Sequence, residues 1–411
     1  MLKKTILIIF MVILPIHVPS LAFANHPTDN LRAAFIRNHN LWIKQGTKER
    51  RVTDGENVRY PKWSHDGNWI AYLKGSKTED EIVYDGELWL YNTKMNNHFK
   101  IKADVSHNFQ WAPRDNKISF MVGKSLYMLH LVSAIPFLPI KIAGEIENFS
   151  WLPDGISLLT SAKESEQLHS NIVLSKITPG QNNPIIEHFY TIPVGKEEYF
   201  VSTSQFKWSF DRQWLSFLLI PTASLSADAN TLCVLSRDGT VFRKVGEMLN
   251  EENWFHWAPS KNILGFISGI GREATIHKQF EMVHLPSFNE ISLTPKGYVD
   301  RDFSWRGNER LYVSRSLGNQ QTDMSKQPLP RIYEVPVTAG MNHQVTSPSI
   351  NEGDFAPQFF RDLHIWIRTD RQSASVYVSP NEKEWINNMA VASSYYGRWN
   401  WDEVLSLDKG N

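Results

Sequence analysis

Tyr60-Pro61-Lys62-Trp63-Ser64-His65-Asp66-Gly67-Asn68-Trp69-Ile70-Ala71-Tyr72 decides the fold, because its pattern recurs along the chain. The pattern is an aromatic, any residue, Trp, a short polar turn, then an apolar alternating run. Phe109-Gln110-Trp111, Phe149-Ser150-Trp151, Phe206-Lys207-Trp208, Phe255-His256-Trp257 and Phe303-Ser304-Trp305 each open a further copy. A degenerate copy, Pro357-Gln358-Phe359, leads into Ile365-Trp366-Ile367. The mean step between the key aromatics at 63, 111, 151, 208, 257, 305 and 359 is about 49 residues, the period of a β-propeller blade.

Working outward, each turn is followed by a second apolar run, such as Leu88-Trp89-Leu90-Tyr91 or Arg331-Ile332-Tyr333-Glu334-Val335, and then a weaker one such as His98-Phe99-Lys100-Ile101. That predicts four strands per repeat, lettered A to D from the aromatic-x-Trp strand. No long segment carries sustained helical periodicity. Before the first copy, residues 33–36, 41–44 and 50–53 read as strands B, C and D with no strand A. After the last copy, Ser394–Trp401 reads as a strand A with no successors. Joining these halves closes a ring and removes its open edges. The expectation is an all-β chain forming one propeller of eight four-stranded blades, or seven if the tail is only a cap.

The Trp63 to Tyr72 stretch with Leu88-Trp89-Leu90-Tyr91, and the copies at Trp111 and Trp151, resemble TolB-like (WD-like) propeller repeats. The resemblance covers nearly all of the chain after its leader. It implies an exported, non-enzymatic scaffold for protein–protein interaction. True TolB proteins place an α/β domain before the propeller. Here the first blade follows the leader closely, so a literal TolB role is not expected.

Lys3 and Lys4, the apolar run from Thr5 to Leu14, and Ala22-Phe23-Ala24 form a secretory signal peptide, residues 1–24. The propeller then occupies residues 25–411. Export places the protein outside the cell, on the cell wall or in the periplasm, with a bacterial style of leader. An uncleaved leader would instead tether it. No later stretch is long and apolar enough for a stable membrane span after cleavage.

The chain of 411 residues has zero formal net charge, one cysteine and fifteen tryptophans. Neutrality and the lack of long basic runs argue against a nucleic-acid partner. A single cysteine excludes an intrachain disulfide framework. Cys233, within Leu232-Cys233-Val234-Leu235, reads as a buried and inert thiol. The Asp-Gly and Asp-Asn turns between strands A and B read as structural. The sequence contains no Gly-x-Ser-x-Gly elbow and no His-Glu-x-x-His helix. No catalytic residue, metal ligand or cofactor is assigned. Thr78-Glu79-Asp80-Glu81 with Asp85 reads as a solvated acidic loop, with calcium as the alternative.

Strand alternation puts the B–C and D–A loops on one face, where loop length varies most. Variable loops on a rigid scaffold usually carry recognition. Candidate contact residues on this face and the channel mouth are Glu79, Asp80, Tyr84, Arg272 and His277. The expected function is binding of an envelope or secreted protein without catalysis. The alternative is a lectin or glycan-active enzyme on envelope polysaccharide.

Overall fold

A computed structural model describes residues 28–75, 85–132, 135–136, 138–180, 183–321, 323–338 and 340–408. The signal-peptide assignment and the candidates Glu79, Asp80 and Tyr84 lie outside the described residues. Among the described residues the chain is almost entirely β, with one four-residue α-helix, Ala223–Ser226.

Eight antiparallel sheets of the four-strand plan follow one another around a ring, as expected from the repeat count. In blades 2 to 8 strand A is Val58–Trp63, Phe109–Trp111, Asn148–Trp151, the interrupted pair Phe200–Thr203 and Lys207–Trp208, Phe255–Trp257, Tyr298–Arg306 and Gly353–Phe360. Each A strand is a sheet edge, and the A strands of blades 1 and 2, 2 and 3, 3 and 4, 5 and 6, and 7 and 8 touch. That arrangement brings the A strands together around the central axis.

Blade 1 is shared between the termini. Arg32–Arg37, Asn40–Gln45 and Lys48–Arg51 supply strands B, C and D, and Leu405–Asp408 supplies strand A by pairing with Arg32–Phe35. The closing strand therefore begins four residues after the predicted segment Ser394–Trp401 ends. Ser394–Tyr395 and Arg398–Trp399 instead form a separate two-stranded hairpin. The reason is local: Tyr396 and Gly397 both have positive φ, which turns the chain back on itself instead of extending it.

Apolar side chains are buried between adjacent blades. In blades 3 to 7 the residue two before the repeat Trp enters these wedges: Phe109, Phe149 and Phe255 are fully buried, with Phe206 and Phe303 nearly so, and in blade 2 Tyr60, three before Trp63, is buried likewise. The repeat Trp supplies a polar stitch as well. Trp63, Trp111, Trp151, Trp257 and Trp305 each donate their indole N–H to a backbone carbonyl on the preceding blade's A strand: Ser406 (3.2 Å), Lys62 (3.0 Å), Gln110 (3.1 Å), Lys207 (2.9 Å) and His256 (3.2 Å). From Trp111 onward the acceptor is the residue just before the previous repeat Trp. Trp208 is the exception, its buried Nε1 having no partner. Phe359, with no N–H to give, leaves the junction of blades 7 and 8 to other means. There the Ala356 amide of blade 8 donates to Asp302 of blade 7 (3.0 Å), and buried Asp300–Arg315 (2.6 Å) and Asp354–Arg368 (2.7 Å) pairs tie strand A to strand B within each blade.

The A–B turns are structural, as expected. Ser64 donates to Asp66 and Ser209 to Asp211, and each serine Oγ also accepts the backbone N–H of Trp69 or Trp214. Asn116 and Asn262, each from the following blade, donate to the second oxygen of the same carboxylates. These hydrogen bonds hold both carboxyls below the usual Asp range, against the upward pull of burial.

Candidate functional site at the channel mouth

Strand alternation turns the residue just before each repeat Trp away from the wedge and toward the axis. Lys62 donates to the carbonyl oxygens of His107 (3.3 Å) and Phe109 (2.8 Å) on the next blade. Gln110 donates to Phe149 (2.9 Å), and Lys207 to Phe255 (3.0 Å) and Glu252. Side chains from non-adjacent blades also meet: Gln205 of blade 5 donates to Asn108 before strand A of blade 3 (3.4 Å).

Burial lowers both lysines to about 8, opposed by the carboxylates of Glu252 and Asp402. Blades 2 and 6 are opposite in an eight-membered ring, so Lys62 senses Glu252 across the axis. Burial also raises Glu251 to about 7, with Arg398 as the opposing cation, and raises Glu252 and Asp302. Asp302 accepts the Trp254 indole (3.2 Å) and the Ala356 amide (3.0 Å). Glu252 Oε1 accepts the Gln205 amide (2.9 Å), while its Oε2 is buried without a hydrogen-bond partner.

The C-terminal segment crosses this mouth. On the side of blades 1 and 2, Ala390 donates to Ile36 (2.8 Å), Asn400 to the Tyr60 hydroxyl (3.2 Å), and Arg59 lies 3.9 Å from Glu403. On the side of blades 5 to 7, Arg398 pairs with Glu251 (3.1 Å), Asn253 donates to Asp402 (2.8 Å), and Ala274 donates to the Tyr396 carbonyl (2.9 Å). Trp399 and Trp401 stack at 5.5 Å and both pack on Phe355.

Arg272, one of the sequence candidates, is part of this mouth. Its guanidinium forks onto Asp228 (2.8 and 2.6 Å) and lies 5.6 Å from the Tyr396 ring. The Asp228 hydrogen bonds drive its pKa further up. His277 is exposed on the same blade 6 loop, 269–278, with positive φ. Lys278 organises that loop: its fully buried ammonium donates to the carbonyls of Ile270, Gly271 and Ile276 (2.9, 2.9 and 3.0 Å). The sequence reading missed Lys62, Lys207, Glu251, Glu252, Asp302 and Arg398. Only the first two had a signal, their fixed place before a repeat Trp. Cys233 is fully buried, and burial pushes its thiol far up, consistent with an inert packing residue.

Surface clefts of about 380 and 320 Å³ lie at turn 306–310 and beside residues 360–363. Among the described residues no cluster of His, Cys, Asp and Glu fits a metal ion, and no helix is long and apolar enough to cross a membrane.

No family model matches the chain, and no curated protein matches it. Many solved structures match its fold. A puromycin hydrolase shares 11% identity at a TM-score of 0.52, over 84% of this chain and 55% of its own. Dipeptidyl peptidase 4 of Porphyromonas gingivalis shares 8% at 0.58, over 88% and 58%. The dihydro-heme d1 dehydrogenase NirN shares 13% at 0.56, over 90% and 76%. The chain thus spans little more than half the length of the two peptidases. These likenesses establish the eight-bladed propeller fold, and a TolB-like family is not among what they establish. They also correct the functional expectation. The matched propellers belong mainly to peptidases, which overturns the non-enzymatic scaffold and its polysaccharide-directed alternative.

Proposed function

We propose that this chain is the substrate-handling propeller of a peptidase-type enzyme, receiving a peptide at the loop-face mouth of its channel. One observation carries the reading: Lys62, Lys207, Glu252 and Asp402 gather both signs of charge at this mouth, with Lys207 bonded to the backbone of Glu252 itself. A wall carrying both signs of charge suits a zwitterion, and a peptide with free ends presents an ammonium and a carboxylate together. The fold likeness to peptidase propellers supports the class of substrate. The repeats keep their TolB-like character within this reading, as a variant of the same blade. Residues 1–24 would export the chain, and N-terminal sequencing of the mature protein should then begin at Asn25.

The test is peptide binding by calorimetry, alongside turnover of aminoacyl and dipeptidyl chromogenic amides. Short peptides lacking charged side chains should bind with both ends free. Capping both ends should weaken them by about tenfold or more, roughly 1.4 kcal/mol. Equal binding of capped and free peptides, or none of either, would overturn the reading.

A further inference from the structure

We propose that the hairpin Ser394–Trp399 is a displaceable strap that occupies the channel mouth in cis, and that the ligand replacing it is a basic peptide. The choice of a peptide rests on the function proposed above; the strap itself rests on geometry alone.

Three observations carry it. The hairpin belongs to no blade: its two strands pair only with each other, whereas the closing strand Leu405–Asp408 is built into blade 1. Its tip meets loop groups, namely the Arg398–Glu251 pair, the Ala274 amide on the Tyr396 carbonyl and Arg272 at the Tyr396 ring, while Trp399 at its end packs on Trp401 and on Phe355 of blade 8. Gly397 lies close against Gln327 and Ala274: a Cβ there would come within 2.7 Å of the Gln327 Oε1 and 3.5 Å of the Ala274 Cβ. The tip therefore lies against the 274 and 327 loops.

The chemistry of the seat selects its occupant. Arg398 is the cation for Glu251, which also faces Glu252, Asp302 and Asp402. Withdrawing the strap leaves Glu251 beside other carboxylates with its cation gone, and an unpaired buried charge is costly. A ligand that opens the mouth must bring a replacement cation. An arginine side chain next to an aromatic reproduces what the strap itself supplies.

The experiment uses the full chain and a capped peptide of residues 394–400, Ser-Tyr-Tyr-Gly-Arg-Trp-Asn, with a citrulline-for-arginine counterpart. Weakening the cis contact with Arg398→Gln should tighten binding of the arginine peptide by about tenfold over the unmodified protein. The citrulline peptide should gain nothing, and Arg398→Lys should restore the weaker binding. Hydrogen exchange on the unmodified protein gives an independent reading should Arg398→Gln fail to fold. Amides of 394–400 should exchange through openings that leave 405–408 protected. Exchange of both segments in one step, or equal binding of the two peptides, would overturn the strap. Binding of free-ended peptides with no response to the hairpin peptide would sink the strap and leave the channel reading standing.

Discussion

At the residue scale, the repeat Trp has two jobs. Its ring fills the wedge between blades, and its N–H is consumed by a carbonyl of the preceding blade. The second job makes a specific expectation. Trp111→Phe removes the donor to the Lys62 carbonyl and should cost about 1–3 kcal/mol in urea unfolding, the penalty for stranding a buried polar group. Trp208→Phe removes a donor that has no partner, so it should cost measurably less. Equal losses would assign the Trp repeat to packing alone. The lysines before Trp63 and Trp208 act in the opposite direction, from side chain to the next blade's carbonyls. Both are lowered to about 8 from the ordinary 10.5. A depressed lysine contributes stability that is present above its unfolded value and lost as pH falls through the folded value. The stability difference between the protein and Lys207→Met should therefore change between pH 8 and 10.5 and level off below that window. A pH-independent difference would show that Lys207 titrates normally.

At the scale of elements, the blade 6 loop 269–278 shows how a long B–C connection is made rigid. Gly269 has φ +118°, and a Cβ there would lie 1.9 Å from the His277 carbonyl oxygen. The loop then turns three carbonyls inward onto the Lys278 ammonium. Gly269→Ala is expected to break that closure, by backbone strain and direct clash together. Limited proteolysis should then cut within 269–278 while the blades stay intact; an uncut loop would contradict this account. The same loop carries Ala274 and Arg272 to the strap, so its order and the strap's seating are coupled through contact. The hairpin itself corrected the predicted closing strand. Its Tyr-Tyr-Gly-Arg-Trp run has the composition of a strand, and only the positive φ of Tyr396 and Gly397 reveals the reversal.

At the scale of the whole molecule, ring closure joins the two ends of the chain through four residue pairs of blade 1, from Arg32–Asp408 to Phe35–Leu405. Ending the chain before Leu405 should expose strand edges on blade 1 and replace one cooperative unfolding transition by a broadened one. A single sharp transition in the truncated protein would show that closure is dispensable. The mouth should impose its own pH dependence. Glu251, raised to about 7 among Glu252, Asp302 and Asp402 and opposed by Arg398, contributes stability that is full below its unfolded value of 4.5. That contribution is lost as pH rises through about 7. Glu251→Gln should remove this part of the stability profile, read from thermal midpoints between pH 4.5 and 8. An unchanged profile would mean that Glu251 is paired too well to titrate there.

The sequence by itself determined the four-stranded blade and the sharing of blade 1 between the termini, and left the number at eight or seven. Those features depend on local periodicity: Phe two before Trp for the wedge, Ser and Asp for the turn, alternation for the strands. The site itself was hardly legible, because its members come from blades 2, 5, 6 and 7 and from the tail. Glu251 and Arg398 are 147 positions apart, and no spacing rule relates them. Only closure of the ring brings them together, because a ring turns distance along the chain into facing positions across one axis. Tertiary structure alone decided that the tail passes over the channel before it returns to complete the first blade.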